Sequence, residues 1–136
     1  LKTAQGYDLV MEEKGGLDAM ITEGGSNFSG GQKQRLSIAR ALVGNPQVYV
    51  FDDSFSALDF ATDARLRRAL KSVTKNAVTL IVAQRVSTIM EADRILVLEG
   101  GEMAGLGTHR QLLKTCPVYY EIAASQLTEE DLFYEA

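Results

Sequence analysis

Two short apolar segments on either side of an amphipathic helix pattern most constrain the fold of this chain. Residues 47–51 (QVYVF) and residues 77–83 (AVTLIVA) are apolar and rich in β-branched or aromatic side chains, which is typical of strands buried on both faces. Between them, residues 60–73 place Ala, Leu and Val at helical spacing, and Asp59 directly before them can serve as the N-cap. A strand, a helix and a strand in this order predict a parallel pair with a right-handed crossover, so the fold class is α/β.

Further elements are predicted around this unit. A helix is predicted over residues 1–12, and a stronger one begins after Ser29 as N-cap and ends at Gly44-Asn45-Pro46. The following predicted elements are a short helix (87–91), a hairpin (94–98 with 102–106), a helix capped by Thr108 (109–114) and a helix opened by Pro117 (to about 126). The acidic tail, residues 127–136, is expected to fray.

Composition excludes several classes of protein. The 136 residues are 46% hydrophobic, enough to bury a core, and the net charge of -4 argues against a nucleic-acid surface. We interpret the basic cluster in the predicted helix as a solvated or docking face (Arg65, Arg67, Arg68, Lys71). The single Cys116 fits a reducing compartment, and no apolar run is long enough to cross a bilayer. Because the first residue is Leu and no signal segment follows, we expect a piece of a longer protein.

The strongest helix start has the features of an anion site. Residues 27–42 read NFSGGQKQRLSIARAL, and the first turn of a helix presents unpaired amides and the positive end of the helix dipole. The amides of Gly30, Gly31 and Gln32 would therefore suit a phosphate. The chain nevertheless contains no G-x-x-x-x-G-K-[ST] loop, the usual cradle for nucleotide phosphates. The sequence predicts only half of a nucleotide site.

Polar residues follow both apolar strands. Residues 48–59 read VYVFDDSFSALD, and the second strand ends in LIVAQ, with Gln84 as its last residue. Ligands of open α/β sheets bind at the carboxyl ends of the strands. An Asp at this position can hold a Mg²⁺ water and so place the metal against nucleotide phosphates. Asp52 and Asp53 could form only a solvated turn after the strand, but their position at the end of VYVF favours binding of a metal-bound water.

The order of these motifs resembles the nucleotide-binding domain of ABC transporters. NFSGGQKQRLSIARAL is similar to the signature motif and its helix, VYVFDD to the Walker B strand, and SALD to the D-loop, while Gln84 falls where the switch histidine normally stands. The resemblance covers residues 1 to about 126. It implies a parallel-sheet P-loop NTPase core that lacks the part upstream of the signature, with residues 1–45 as part of the helical subdomain and signature helix, and residues 46–126 as the Walker B, D-loop, switch and C-terminal region.

The resemblance also implies why the site is half a site. In this family two domains pair head to tail, and the signature of one chain closes over an ATP held by the P-loop of the other. Ser29, Gly30, Gly31 and Gln32 would then bind the partner's γ-phosphate, Asp59 would contact the partner, and Asp52 would hold Mg²⁺. The parent would be an exporter with a transmembrane domain, its ATPase domain lying at the cytoplasmic face of the cell membrane and binding no nucleic acid.

Two residues depart from the family pattern. Asp53 stands where the catalytic base is normally Glu, and its side chain is shorter by about 1.5 Å. Displacing a catalytic group by about 1 Å can cost on the order of a hundredfold. Gln84 can hydrogen-bond but cannot carry a proton as a switch His can. We therefore expect this chain to be the degenerate-site half of a heterodimeric exporter, with Asp53 and Gln84 at the impaired site.

Other interpretations remain open. Chromosome-maintenance and DNA-repair ATPases share a signature-like helix start, although they normally keep the Glu. The fragment could also act only as an interaction module, because a chain without a P-loop should not hold ATP tightly or hydrolyse it. Without upstream strands, the apolar sides of VYVF and LIVA should be exposed, which predicts a dimer or higher oligomer. His109 is interpreted as a helix-start residue and Cys116 as inert.

Overall fold

The computed structural model describes residues 1–132, which divide into two compact units, Leu1–Val82 and the described residues from Ala83 onward. The helices are α1 (Tyr7–Glu12), α2 (Gly30–Val43), α3 (Phe60–Val73), α4 (Val86–Ile89), α5 (His109–Thr115), α6 (Pro117–Gln126) and α7 (Glu129–Leu132). The strands are β1 (Val48–Asp52), β2 (Val78–Val82), β3 (Ile95–Glu99) and β4 (Glu102–Gly107). The mixed α/β fold class predicted from the sequence is confirmed.

The first unit is built on a parallel pair of strands. β1 and β2 pair in register from Val48 opposite Val78 to Asp52 opposite Val82. The inner face carries Tyr49 and Phe51, whose rings stack with centroids 6.0 Å apart and which are both 3% exposed. They pack with apolar side chains of α2, α3 and the loop after β1 (Ile38, Ala39, Phe55, Leu58, Leu66, Leu70). The predicted strand, helix and strand are confirmed, and so is the parallel pairing of the two strands.

The other face of this sheet is exposed. Val50 is 61% exposed and Leu80 54% exposed, and the neighbouring Val48, Val78 and Val82 are exposed with them. The apolar pattern of these strands predicts a sheet that is buried on both faces, but in this chain only one face of the sheet is buried. We predicted this exposure for strands that lack upstream neighbours.

The first helix is shorter than predicted. A helix was expected from Leu1, but α1 begins at Tyr7, with Gly6 as N-cap. Gln5 has a positive φ of 55°, a conformation that an α-helix cannot contain. The backbone oxygen of Gln5 instead accepts a hydrogen bond from Arg35 Nη1 at 2.6 Å. The segment before α1 is therefore attached to α2 rather than wound into a helix.

The second unit packs a hairpin against helices. β3 and β4 pair antiparallel, with an irregularity between Val97 and Leu98. Ile95 and Val97 are buried in one cluster with apolar side chains of α5, α6, α7 and the residue between α5 and α6 (Leu112, Cys116, Tyr119, Ala123, Leu132). The opposite face of the hairpin is exposed, including Leu98 and Met103.

The tail differs from our expectation in its described part. Instead of fraying from residue 127, the chain forms the helical turn α7, whose Leu132 is 5% exposed. Thr128 Oγ1 accepts from the Asp131 amide at 3.2 Å and donates to Asp131 Oδ2 at 2.7 Å. This local cap and the burial of Leu132 stabilise the turn. Residues 133–136 lie outside the described residues.

His109 has a structural environment that fits its interpretation as a helix-start residue. It is 8% exposed, and its Nδ1 shares a hydrogen bond of 2.7 Å with the Tyr119 hydroxyl. Burial lowers the pKa of His109 and raises the pKa of Tyr119 to about 12. The pair therefore joins α5 to α6 with both side chains neutral near pH 7.

Candidate functional site

The start of α2 is a fully formed capping box. Ser29 Oγ accepts from the Gln32 amide at 3.3 Å, and Gln32 Oε1 accepts from the Ser29 amide at 2.7 Å. A serine hydroxyl has one donor and two acceptor positions, so Ser29 can still donate to a ligand while it caps the helix. The amides of Gly30 and Gly31 have no intrahelical acceptor, because they lie in the first turn. This segment, residues 29–32, is called the signature segment below.

The loop before the signature segment is tied together by polar side chains. Thr22 Oγ1 donates to Asn27 Oδ1 at 2.9 Å, and Lys33 Nζ donates to the backbone oxygen of Gly24 at 2.9 Å. Gly24 and Gly25 both have positive φ values, which glycine adopts without strain. The approach to the signature segment is thus held by short-range contacts within the first unit.

The two acids at the end of β1 lie in different conformations. Asp52 is the last residue of the strand, is exposed, and lies opposite Val82 in the pairing. Asp53 follows with a φ of +47°, and its amide donates to the backbone oxygen of Val82 at 3.0 Å. The two carboxylates therefore leave the strand end from differently oriented backbone positions.

The loop after β1 contacts the start of α2 directly. A Cβ added to Gly31 would lie 2.8 Å from the backbone oxygen of Ala57, a distance that real Cβ atoms essentially never show. Gln34 on α2 hydrogen-bonds to three residues of the same loop. The first unit thus brings the signature segment together with residues 53–57, which we call the β1 loop.

Asp59 is the N-cap of α3. Its Oδ1 accepts from the Thr62 amide at 2.9 Å, and this hydrogen bond lowers the pKa of Asp59. The capping function that the sequence allowed is confirmed. The cross-dimer contact expected for Asp59 is compatible with it, since the carboxylate is exposed and has a second oxygen.

Gln84 lies in the second unit with its side chain exposed. Its backbone oxygen accepts from Gln126 Nε2 at 2.9 Å, while Gln126 Oε1 accepts from the Val86 amide at 2.9 Å. One side chain of α6 therefore fixes the backbone on both sides of Arg85 and leaves the Gln84 side chain at the surface.

Neither Gln34 nor Gln126 is predicted as a functional residue from the sequence alone. Each is a polar residue inside a helix pattern, which by itself predicts only a solvated position. Gln34 belongs to the quoted signature stretch, and Gln126 ends the segment that resembles the family, so motif membership was the one available signal.

The described part of the chain does not form a metal site by itself. Within residues 1–132 no group of three or more His, Cys, Asp or Glu side chains could hold a metal ion. Asp52 offers one exposed carboxylate, so a Mg²⁺ ion there would take its remaining ligands from water, phosphate or other residues. No helix among these residues is long and apolar enough to cross a membrane.

Comparison with known proteins gives consistent matches. The family model described as ABC transporter matches residues 5–56. An ABC transporter ATP-binding protein of Mycobacterium tuberculosis is 50% identical over 82% of this chain and 19% of its own length. An ATP-dependent lipid A-core flippase of Francisella tularensis is 42% identical over 93% of this chain and 21% of its own length. The chain therefore spans about a fifth of the length of these relatives.

A solved structure is similar to this chain in both fold and sequence. A bacterial Atm1-family ABC exporter with ATP bound superposes with a TM-score of 0.89 and is 39% identical. The match covers 94% of this chain and 23% of the exporter chain. The relatives named here are transporters, so they give no support to the alternative of a chromosome-maintenance or DNA-repair ATPase.

Proposed function

This chain belongs to the ABC transporter family as a portion of an exporter-type ATP-binding domain. We therefore propose that the full-length protein hydrolyses ATP to drive export. The signature segment is the observation that carries the proposal. Its capped helix start keeps one hydroxyl donor and two first-turn amides for an anion, and it contacts the loop of an acid-ended strand. A γ-phosphate held by a second ATPase domain fits these donors.

We propose that the second domain is a different chain, paired head to tail with this one. In that arrangement Ser29, Gly30 and Gly31 bind the ATP held by the partner, and Asp59 contacts the partner. Gln32, expected from the sequence to offer its amide to phosphate, donates that amide to Ser29 Oγ and so holds the helix start, which leaves its side-chain Nε2 to face the ligand. Amides fixed in a helix turn stabilise charge that develops on the phosphate without having to reorient. The site completed by this signature segment is the competent one.

The site completed by this chain's own acids is the degenerate one. Asp52 would hold Mg²⁺, which when bound neutralises charge on the nucleotide phosphates. Asp53 would orient the attacking water, but its carboxylate ends about 1.5 Å short of a Glu. Gln84 can hold a hydrogen bond to the water or phosphate without moving a proton. ATP at this site is therefore bound longer than it is hydrolysed.

The parent would be anchored in the membrane by parts outside these residues. We propose that the domain lies at the cytoplasmic face, with a fused or associated transmembrane domain that selects the substrate. The 136 residues by themselves lack a P-loop, so we expect them to be inactive as an ATPase.

Turnover of the full-length parent with its partner chain tests the role of Ser29. Asp is as good an N-cap as Ser, so Ser29→Asp keeps the helix start but places a negative charge against phosphate. We expect kcat to fall on the order of a hundredfold with unchanged thermal unfolding. Ser37→Ala, at an exposed position of the same helix, is the matched control and should retain activity. Full activity in Ser29→Asp would refute the proposed role.

The unequal-site proposal has its own test. Asp53→Glu restores the longer carboxylate, so it should leave turnover unchanged or raise it, while Asp53→Asn should leave turnover at the competent site intact. A large loss of steady-state turnover in Asp53→Asn would show that Asp53 belongs to the working site. A partner chain that itself lacks the catalytic Glu would contradict the assignment of roles.

A further inference from the structure

The side chain of Gln34 uses both ends of its amide on one loop. Nε2 donates to the backbone oxygen of Asp53 at 3.1 Å and to Ser56 Oγ at 3.0 Å, and Oε1 accepts from the Ala57 amide at 3.0 Å. Gln34 lies on α2 close behind the signature segment, whereas its partners all lie in the β1 loop. A solvated helix glutamine would make none of these contacts.

The Asp53 backbone depends on such contacts. A non-glycine residue with a φ of +47° is in a sparsely populated conformation that persists only where its surroundings hold it. β2 holds the amide of Asp53 through the Val82 oxygen. The carbonyl on the other side accepts from Gln34 and from Ser56 Oγ, the latter at 2.9 Å. Gln34 is therefore one of the groups that hold the backbone of Asp53, together with the hydroxyl and the amide of Ser56.

The signature segment has little freedom to move independently of the same loop. Gly31 approaches the Ala57 carbonyl so closely that no side chain fits between them, and a Cβ on Gly30 would lie 3.6 Å from the Ala57 methyl group. The start of α2 is thus fixed to the β1 loop in two ways, by the close approach of Gly31 to the Ala57 carbonyl and by the hydrogen bonds of the Gln34 side chain. A shift of either segment is thus transmitted to the other.

We propose that Gln34 is a positioning residue that couples the two ATP sites to which this chain contributes. The proposal rests on the proposed function, in which the signature segment serves the partner's ATP and Asp53 faces this chain's own. Gln34 touches neither nucleotide and acts through the Asp53 carbonyl and the Ala57 amide. A change in the β1 loop at one site then alters the placement of Ser29 at the other.

The variant Gln34→Met tests the coupling because it keeps the length of the side chain and removes its hydrogen bonds. In the full-length parent with its partner, we expect kcat for ATP to fall about tenfold or more, with KM changed less than twofold, since the partner holds the nucleotide. Gln34→Glu keeps the acceptor for the Ala57 amide, so its kcat should lie between the values for Gln34→Met and the wild type. Gln47→Ala, at an exposed position before β1, is the matched control.

Amide hydrogen exchange of the same assembly gives a readout that is independent of turnover. Gln34→Met should raise exchange both in residues 53–57 and in residues 29–32, while Gln47→Ala changes neither. Raised exchange in one segment alone, or unchanged kcat, would overturn the coupling. Failure of the proposed function is distinguishable, because Ser29→Asp would then retain turnover whatever Gln34→Met does to exchange.

Discussion

Gly30 and Gly31 are neighbours in the signature segment but have different surroundings. A Cβ at position 31 would lie 2.8 Å from a backbone oxygen, whereas one at position 30 would make an ordinary contact of 3.6 Å with the methyl group of Ala57. We expect Gly31→Ala to lower the free energy of unfolding by about 1–3 kcal/mol, because the β1 loop must shift. Gly30→Ala should cost less than about 1 kcal/mol. Urea unfolding of both variants measures this, and equal losses would contradict the contact.

Tyr119 and His109 limit stability at opposite ends of the pH range. The folded phenol has its pKa raised to about 12, so only the unfolded chain ionises it above pH 10, and stability is lost as the pH rises from 10 towards 12. The folded imidazole has its pKa lowered from 6.5, so stability is lost as the pH falls below 6.5. Unfolding free energies over this range should show both losses. Tyr119→Phe should remove the alkaline loss and keep the acid one; if it keeps both, the assignment to Tyr119 is wrong.

At the scale of elements, β4 is packed at a glycine against α5 and against Cys116, the residue that follows α5. A Cβ at Gly105 would lie 2.9 Å from Leu112 Cδ2 and 3.0 Å from Cys116 Sγ, both buried groups with little room to move. We expect Gly105→Ala to lower the unfolding free energy by about 1–3 kcal/mol through overpacking. Met103→Ala, at a position 65% exposed on the other face of the hairpin, is the control and should change it by less than about 1 kcal/mol. Thermal unfolding of the two variants, followed by circular dichroism, tests this.

The sequence is a better predictor of which helices and strands form than of which residues they contact. The caps at Ser29, Asp59 and Thr108 are confirmed, since a cap is a contact between residues three apart in the chain. The α7 turn was not predicted, although Thr128 and Asp131 have the same spacing, because an acidic segment at the end of a sequence is typical of a frayed tail. Strand burial depends on neighbours that an apolar pattern does not specify.

The candidate site shows the same division. Its helix start and strand-end acids follow from motifs along the chain, so residues 29–32 and Asp53 could be named in advance. The three hydrogen bonds of Gln34 join residues 19 to 23 positions apart, and they exist only once α2 approaches the β1 loop. No local pattern predicts such a contact. Sequence reasoning thus identified the groups proposed to meet a ligand, and the structure identified the group that holds them together.

At the scale of the whole molecule, the exposed face of the β1–β2 sheet is the surface that we expect to drive association. Val48, Val50, Val78, Leu80 and Val82 form a contiguous apolar surface, and within residues 1–132 this sheet has only two strands. Exposed apolar surface and open strand edges both favour pairing with a second copy. We therefore expect the 136-residue chain to form dimers or higher oligomers as its concentration rises, which sedimentation velocity over a concentration series measures.

A substitution on that face distinguishes specific association through the sheet from non-specific association. Val50→Lys places a charge in the middle of the apolar surface. In the monomer this charge stays in water, whereas in a dimer formed through this face it would be buried, which costs free energy. We expect the association constant to fall at least about tenfold, equivalent to about 1.4 kcal/mol. Val43→Lys is the matched control, because Val43 is 85% exposed at the end of α2, where a cation favours the helix dipole. A wild-type chain that stays monomeric at every concentration, or equal weakening by both variants, would show that this face does not drive association.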